Sequence, residues 1–324
     1  MAKHTPLVSI LIPCYNYGQY IEKCIQSTLD QTYENIEVIV VDNGSTDDSL
    51  EKINLFSNNK KIKIIKIKEN IPPVTDGVSA IGIAIEESKG SYISILYADD
   101  WYLPEKIEKQ VSLFNIMPNS VGVVYCHGYY YIEESKTKVE HKRQSVRGYV
   151  FKDYLTKGDI AMPISPLVKR YCYDIIGFDN IWTGSEYDFL LMSQYVDFDF
   201  VDEYLVVMRM HNNNASKDIL FSYNMVRRFH SSALLNPNTI LRGGRTLINK
   251  RMARDFISFG LGLIVIMDKN NGRLALMRAI RIYPIFIFKP KVLMSLLLSF
   301  LPMPVLRYVL VVIGVSKSPK EHIY

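Results

Sequence analysis

Two neighbouring carboxylates, Asp99 and Asp100, follow an apolar run at residues 92–96 and lead into Trp101. Side by side at the end of a strand, they repel each other unless a cation or hydrogen-bond donors neutralise them. Hard oxygen ligands of this kind suit Mn2+ or Mg2+ bridging phosphate oxygens. The plainer reading is a helix cap, since Pro104-Glu105-Lys106 has the form of a first helical turn. A second group stands nearer the N-terminus. Pro13-Cys14-Tyr15-Asn16 closes the apolar run 8–13, and Asp42-Asn43-Gly44-Ser45 closes the run 37–41. A ring, amide and carboxylate groups, and a glycine that lets the backbone approach closely are what a nucleotide requires. Two further segments carry candidate groups. Glu186-Tyr187-Asp188 sets two carboxylates in the first turn of an expected helix at 184–195, where the helix dipole favours an anion. His211 follows an apolar strand-like stretch at 198–210 and begins an Asn-rich loop; a lone histidine in such a place is more often structural than ligating.

The elements that must position these groups read clearly in the first half. The run 8–13 is continuous and apolar, as expected for a strand covered on both faces. Ile21, Cys24, Ile25, Thr28 and Leu29 recur on one face of a helix. A second strand at 37–41, a helix through Phe56, an edge strand among the lysines at 62–67, a helix at 78–88 and a strand at 92–96 complete an alternating pattern. That alternation predicts a mainly parallel sheet with right-handed crossovers. In such sheets ligands bind beyond the C-terminal strand ends, where Tyr15, Asn16, Asp42, Asn43, Ser45, Ala98, Asp99 and Asp100 all fall. Further on, 121–125 and 129–132 read as two strands, 133–147 as a charged exposed connection, and 151–156 as a helix. From 221 to 267 the pattern is helical and basic.

The 324 residues are too long for one minimal domain, and 48% hydrophobic residues supply a sizeable core. A net charge of +5 is too mild for an extended nucleic-acid groove, so no nucleic-acid partner is expected. The four cysteines, Cys14, Cys24, Cys126 and Cys172, form no C-x-x-C pair and read as buried thiols in a reducing compartment. No signal peptide is evident at the start of the chain. Neither G-x-G-x-x-G nor G-x-x-x-x-G-K-[ST] occurs after the first strand, which disfavours dinucleotide and P-loop folds and a nucleotidyltransferase.

The order strand, Pro-x-Tyr-Asn, helix, strand, Asp-x-Gly-Ser resembles the nucleotide-binding half of the family 2 glycosyltransferases, and the resemblance runs from Pro6 to Ser216. It implies a GT-A fold: an α/β, Rossmann-like, mainly parallel sheet flanked by helices, here with a C-terminal α-helical extension. It further implies inverting transfer from a nucleotide-sugar, a UDP-sugar first among the candidates, to a saccharide or lipid-linked saccharide, with Mn2+ or Mg2+. Tyr97-Ala98-Asp99-Asp100 resembles the family's Asp-x-Asp-Asp segment, with Tyr97 in place of the first Asp and Asp99 on the usual metal ligand. Glu186 falls on the position of the catalytic base, with Asp188 in reserve. Arg209-x-His211 with Ser216 resembles a segment whose His binds metal or diphosphate. Pro13, Tyr15, Asn16, Asp42, Asn43, Ser45, Ala98, Asp99 and Asp100 would hold the donor. A non-catalytic nucleotide-sugar-binding module of the same fold is the alternative.

These expectations divide the chain into a donor half at 1–117, an acceptor half at 118–220 and a helical region at 221–324. Pro284, Pro290, Pro302 and Pro304 cut the apolar tail at 280–315 into pieces shorter than the roughly 20 residues that span a bilayer. The tail therefore reads as an interfacial segment on the inner face of the cell membrane, or as a helical subdomain packed on the core. The expected location is the cytoplasm, with peripheral membrane contact.

Overall fold

The computed structural model describes residues 5–72, 79–177, 186–212, 214 and 217–312. The chain divides into two compact units, 1–211 and 212–324.

The first unit is built on one sheet. Strands β1 (Val8–Cys14), β2 (Ile36–Asn43), β3 (Ile62–Ile67) and β4 (Tyr92–Ile95) lie in the order β3-β2-β1-β4, all parallel. Helices α1 (Gly18–Leu29), α2 (Ser49–Asn54) and α3 (Ala80–Glu87) alternate with them in the chain. After β1 the chain builds outward to β3 and then returns to the other side of β1 to lay down β4. The C-terminal ends of β1 and β4 therefore flank a topological switch point, where open α/β sheets form a ligand crevice. Pro13 fits this central strand for a local reason. Leu11 accepts a hydrogen bond from the Leu96 N–H at 2.9 Å, so Pro13, two residues on, faces the same way. The β1–β4 pairing ends at Leu11 and Ile95, and no ladder bond is lost to the missing N–H.

Beyond β4 the sheet is mixed. The short β5 (Trp101–Tyr102), α4 (Lys106–Phe114), the long β6 (Val121–Ile132), β7 (Thr137–His141), α5 (Phe151–Lys157), β8 (Leu167–Lys169), α6 (Tyr171–Ile176), α7 (Glu186–Met192) and β9 (Asp197–Met210) follow. Their order is β4-β8-β6-β9-β5, with β7 paired to β6. Strand β8 is antiparallel to both β4 and β6, β5 is antiparallel to β9, and β6 runs parallel to β9. Two expectations change here. The strands read at 121–125 and 129–132 are one strand, β6, whose register against β9 shifts around Cys126, His127 and Gly128. The polar break in the pattern is a bulge, not a turn: buried His127 lies 2.9 Å from Asp202 through Nε2 and accepts the Arg143 N–H through Nδ1 at 3.1 Å. The charged connection at 133–147 contains β7, an exposed strand of a hairpin.

The core is apolar: Val8, Ile10, Ile12, Val38, Val40 and Val124 are fully buried. All four cysteines are free and buried as expected, and burial pushes the thiols of Cys14, Cys126 and Cys172 up to about 12. A lysine is buried with them. Lys106 on α4 is fully buried, donates to Ser94 Oγ at 2.7 Å and lies 4.0 Å from the Tyr102 ring centroid. Desolvation lowers its ammonium from 10.5 to about 7. The unfolded chain therefore binds more protons than the folded one above pH 7, and the Lys106 contribution to stability rises with pH. Between pH 7 and 8 this contribution should grow by about 1 kcal/mol, and the cysteine thiols, whose unfolded pKa is about 8.5, affect the parent and a Lys106 variant alike. Lys106→Met should remove that slope and stabilise the fold at pH 7 by roughly 1–3 kcal/mol. Urea unfolding of both proteins across this window measures it; equal slopes would show that Lys106 is charged in the folded state.

The second unit is helical: α8 (Ile219–Phe229), a π-helical turn (His230–Leu234), α9 (Pro237–Gly243), α10 (Arg245–Val265), α11 (Lys269–Ile282), a 3-10 turn (Pro284–Phe288), α12 (Pro290–Leu298) and α13 (Met303–Val312). The helices α10 and α11 form an antiparallel pair in which a Cβ on Gly260 would stand 3.0 Å from Leu276. Ile264, Leu276, Val292 and Leu306 make a small core. Among the described residues no helix is long and apolar enough to cross a membrane.

Candidate active site

The ends of β1 and β2 are tied together by the polar residues that follow them. Asn16 adopts a left-handed conformation, φ 57°, which an asparagine tolerates well. Its Oδ1 accepts the Thr46 N–H at 2.7 Å, and its own N–H donates to Ser45 Oγ at 3.1 Å. Asp47 accepts the Gly18 N–H at 3.0 Å, and Ser49 Oγ accepts the Tyr17 N–H at 2.9 Å. Asn43 pins the loop after β3 through Asn70 and both backbone groups of Ile71. Gly44 has φ 72°, and a Cβ there would meet the Asn70 nitrogen at 2.6 Å. Asn16, Asn43 and Ser45 thus shape the crevice wall. Tyr15 is left exposed, and Asp42 is buried in register with Cys14. The Oδ1 atom of Asp42 has no hydrogen-bond partner among the described residues. A buried acceptor in that state is costly unless a ligand donates to it.

At the far side of the switch point, β4 and β9 bring together residues distant in sequence. Asp99 Oδ2 lies 3.0 Å from His211 Nε2, and both side chains are buried. That separation is a hydrogen-bond distance, and it is also the separation of about 3.0 Å between adjacent ligands at 2.0–2.1 Å from an octahedral cation, so the pair is compatible with a small divalent ion. No group of three or more His, Cys, Asp or Glu side chains gathers as a metal cluster among the described residues. Asp100 faces a different way. It is buried, and its Oδ1 accepts the backbone N–H of Arg209 at 2.7 Å, joining the end of β4 to β9. Burial, then the neighbouring Asp99, hold its carboxyl well above the usual range. Ala98 is buried between the core and these carboxylates, and Tyr97 packs half-buried against the core.

Around this pair lies a group of rings and cations that the sequence patterns do not disclose. The rings of Tyr17 and Tyr20 stand 5.8 and 4.9 Å from His211. Burial, then Asp99 and Asp100, push the Tyr17 phenol far up, keeping it neutral. Arg209 donates through Nε to the Asp99 carbonyl at 3.0 Å, pairs with Glu133, and lies over Tyr20, Trp101 and Tyr131 at 4.5, 5.0 and 5.3 Å. Lys23 sits 3.4 Å from the Trp101 ring centroid. Burial and then the Arg209 charge lower its ammonium. Two cations on one aromatic platform concentrate positive charge beside Asp99 and His211. Trp101, directly after Asp99-Asp100, was the one available signal.

Glu186 opens α7. Its side chain, and Gly184, Ser185 and Ser216, lie outside the described residues. Asp188 is buried two residues on, close enough to Tyr173 for its charge to help raise that phenol, with burial the larger cause.

Comparison with known proteins agrees with this arrangement. The family model described as glycosyl transferase family 2 matches residues 9–168. An uncharacterized glycosyltransferase of Haemophilus influenzae is 33% identical over 192 residues, which are 57% of this chain and 71% of that protein. One of Rickettsia felis is 32% identical over 232 residues, 67% of this chain and 36% of that one. The chain spans only about a third of the length of such Rickettsia relatives. Among solved structures, S. aureus TarS residues 1–349 with UDP-GlcNAc is similar at TM-score 0.62 and 13% identity, over 90% of both chains. The mannosyltransferase PcManGT of Pyrobaculum calidifontis, solved with GDP-Man and Mn2+, is similar at TM-score 0.55 and 14% identity, over 95% of this chain and 87% of that one. At such identity these two structures speak for the fold alone: an α/β, mostly parallel sheet flanked by helices, of the GT-A type. Motif order, sheet topology and the match to the Haemophilus protein converge, and the chain belongs to the family 2 glycosyltransferases.

Proposed function

We propose that this chain transfers a hexose from a nucleoside-diphosphate sugar, a UDP-sugar, to a hydroxyl of a saccharide or lipid-linked saccharide, with inversion, in the assembly of a bacterial surface polysaccharide or glycoconjugate. The observation that carries the reading is the 3.0 Å approach of Asp99 to His211 at the strand ends. The nucleotide lies along the crevice, with Tyr15 beside the base and the unpartnered oxygen of Asp42 accepting from a base N–H or ribose hydroxyl. Asp99 and His211 hold Mn2+ or Mg2+, which when bound offsets charge on the diphosphate. Lys23 and Arg209 add positive charge beside it. Asp100 fixes the spacing of the pair by anchoring the Arg209 backbone. Glu186 takes the proton from the acceptor hydroxyl as its oxygen attacks the anomeric carbon, and attack from the face opposite the leaving group inverts that centre. A thermal-shift screen of UDP-, GDP- and dTDP-sugars with and without Mn2+ tests the donor, because a ligand that binds only the native state raises Tm. Release of sugar from a labelled donor, with and without acceptor, separates transfer from binding without turnover. Failure of every donor to shift Tm would sink the reading.

The tail supports a peripheral membrane contact. Ile285, Phe288, Met294, Leu297 and Phe300 are exposed, with Lys289 and Lys291 among them. Apolar side chains interleaved with cations suit an interfacial segment on an anionic leaflet, each basic residue adding about 1 kcal/mol. Charge attraction is screened over about 8 Å at physiological ionic strength. The expected result of fractionation is a membrane-bound protein released by high salt or carbonate. Wholly soluble, monodisperse protein would assign the apolar face to packing instead.

A further inference from the structure

The second unit contains a cavity of about 240 Å³ between α8, α10 and α11, with room for several waters or one phosphate-sized group. Arg227, Arg278 and Arg281 line it, together with His230, over an apolar floor that includes Met252 and Phe256. No acidic residue is in the lining, and none of the three arginines forms an ion pair among the described residues. Arg278 and Arg281 stand three apart on α11, a spacing at which like charges repel. The guanidinium groups are nonetheless organised. Arg278 donates to the Tyr223 hydroxyl at 2.8 Å, and Arg227 lies 5.7 Å from the centroid of the same ring.

His230 is an independent sign. It is 2% exposed, begins the π-helical turn, and is fixed by Asp255 at Nε2, 3.0 Å away, and by the edge of Phe256 at 4.9 Å. Asp255 is already occupied by Arg251 at 2.9 Å, so its charge is spent within that network. The remaining ring nitrogen of His230, Nδ1, is buried without a hydrogen-bond partner among the described residues. Single-turn π-helical insertions cost stability and occur frequently at functional sites. Arginine is the side chain best suited to phosphate, because its planar fork offers paired donors.

We propose that this cavity is a phosphate-binding site, taking a phosphate monoester or diester on an apolar or polyol body, separate from the donor crevice and independent of the transferase reading. The test uses the full chain without divalent metal, with and without saturating UDP, so that any phosphate bound in the donor crevice is told apart. Calorimetric titration with inorganic phosphate and with glycerol 1-phosphate should give saturable binding at one site per chain. The double substitution Arg227→Gln with Arg281→Gln should weaken it at least tenfold and leave UDP binding and the unliganded Tm unchanged. Cosedimentation with phosphatidylglycerol vesicles, against phosphatidylcholine, distinguishes the sources. Competition by glycerol 1-phosphate identifies a lipid headgroup as an occupant of the same site. Unchanged vesicle binding in the double variant, with phosphate binding lost, assigns the site to a soluble phosphate. No saturable phosphate binding, or equal binding by parent and variant, overturns the proposal, as does vesicle binding with soluble phosphate silent.

Discussion

Asp99→Asn should lower sugar transfer by about 10²–10³-fold, the usual scale for removing one group that stabilises developing charge. The substitution keeps the shape of a side chain placed 3.0 Å from His211 Nε2 but removes the charge that would hold a divalent ion. The Mn2+ concentration needed for half-maximal rate should rise, and donor affinity should become insensitive to the metal. His211→Gln should act in the same direction. Because the two residues form one unit, the double variant should lose little more than either single one. Initial rates over a Mn2+ titration, with Tm measured in parallel, check all three. A parent-like rate for Asp99→Asn at limiting Mn2+ would remove the metal assignment.

Glu186→Gln should cost about 10²–10⁴ in turnover, the range for loss of a general base. Gln keeps the hydrogen-bonding shape and cannot take a proton, so donor affinity by calorimetry should barely move. Asp188→Asn separates the two carboxylates of α7. Asp188 is buried, so its substitution should appear in Tm before it appears in turnover. A large loss of turnover in Asp188→Asn at unchanged Tm, with Glu186→Gln active, would reverse the assignment.

What the sequence disclosed follows from how its strands are buried. Strands β1, β2 and β4 are covered on both faces, so they appear as continuous apolar runs, and the chemical groups at their ends were easy to find. Strand β3, at the sheet edge, shows its exposure in Lys63 and Lys66. Strand β8 was invisible because three residues carry no period, and β6 was divided because a buried polar His127 inside a bulge looks like a turn. The residues Asn16, Asn43 and Ser45 were picked out as ligand groups by their type. Their hydrogen bonds also build the wall of the crevice, which residue type cannot foretell. The platform of Lys23, Trp101 and Arg209 draws on α1, β5 and β9, and no spacing rule links positions so far apart.

The Asp99–His211 pair also has a consequence in time. Its partners are 112 positions apart. Contacts of long sequence separation are made late, because loop closure precedes any reward. During synthesis the crevice wall from β1 to β4 can assemble early, since domains form from the N-terminus onward. The Asp99–His211 pair must wait for β9, which lies beyond residue 168, where the family match ends. A nascent or truncated chain would therefore own the crevice wall before it owned the pair to which the metal is proposed to bind. Competence arrives only when the last strand of the sheet is in place.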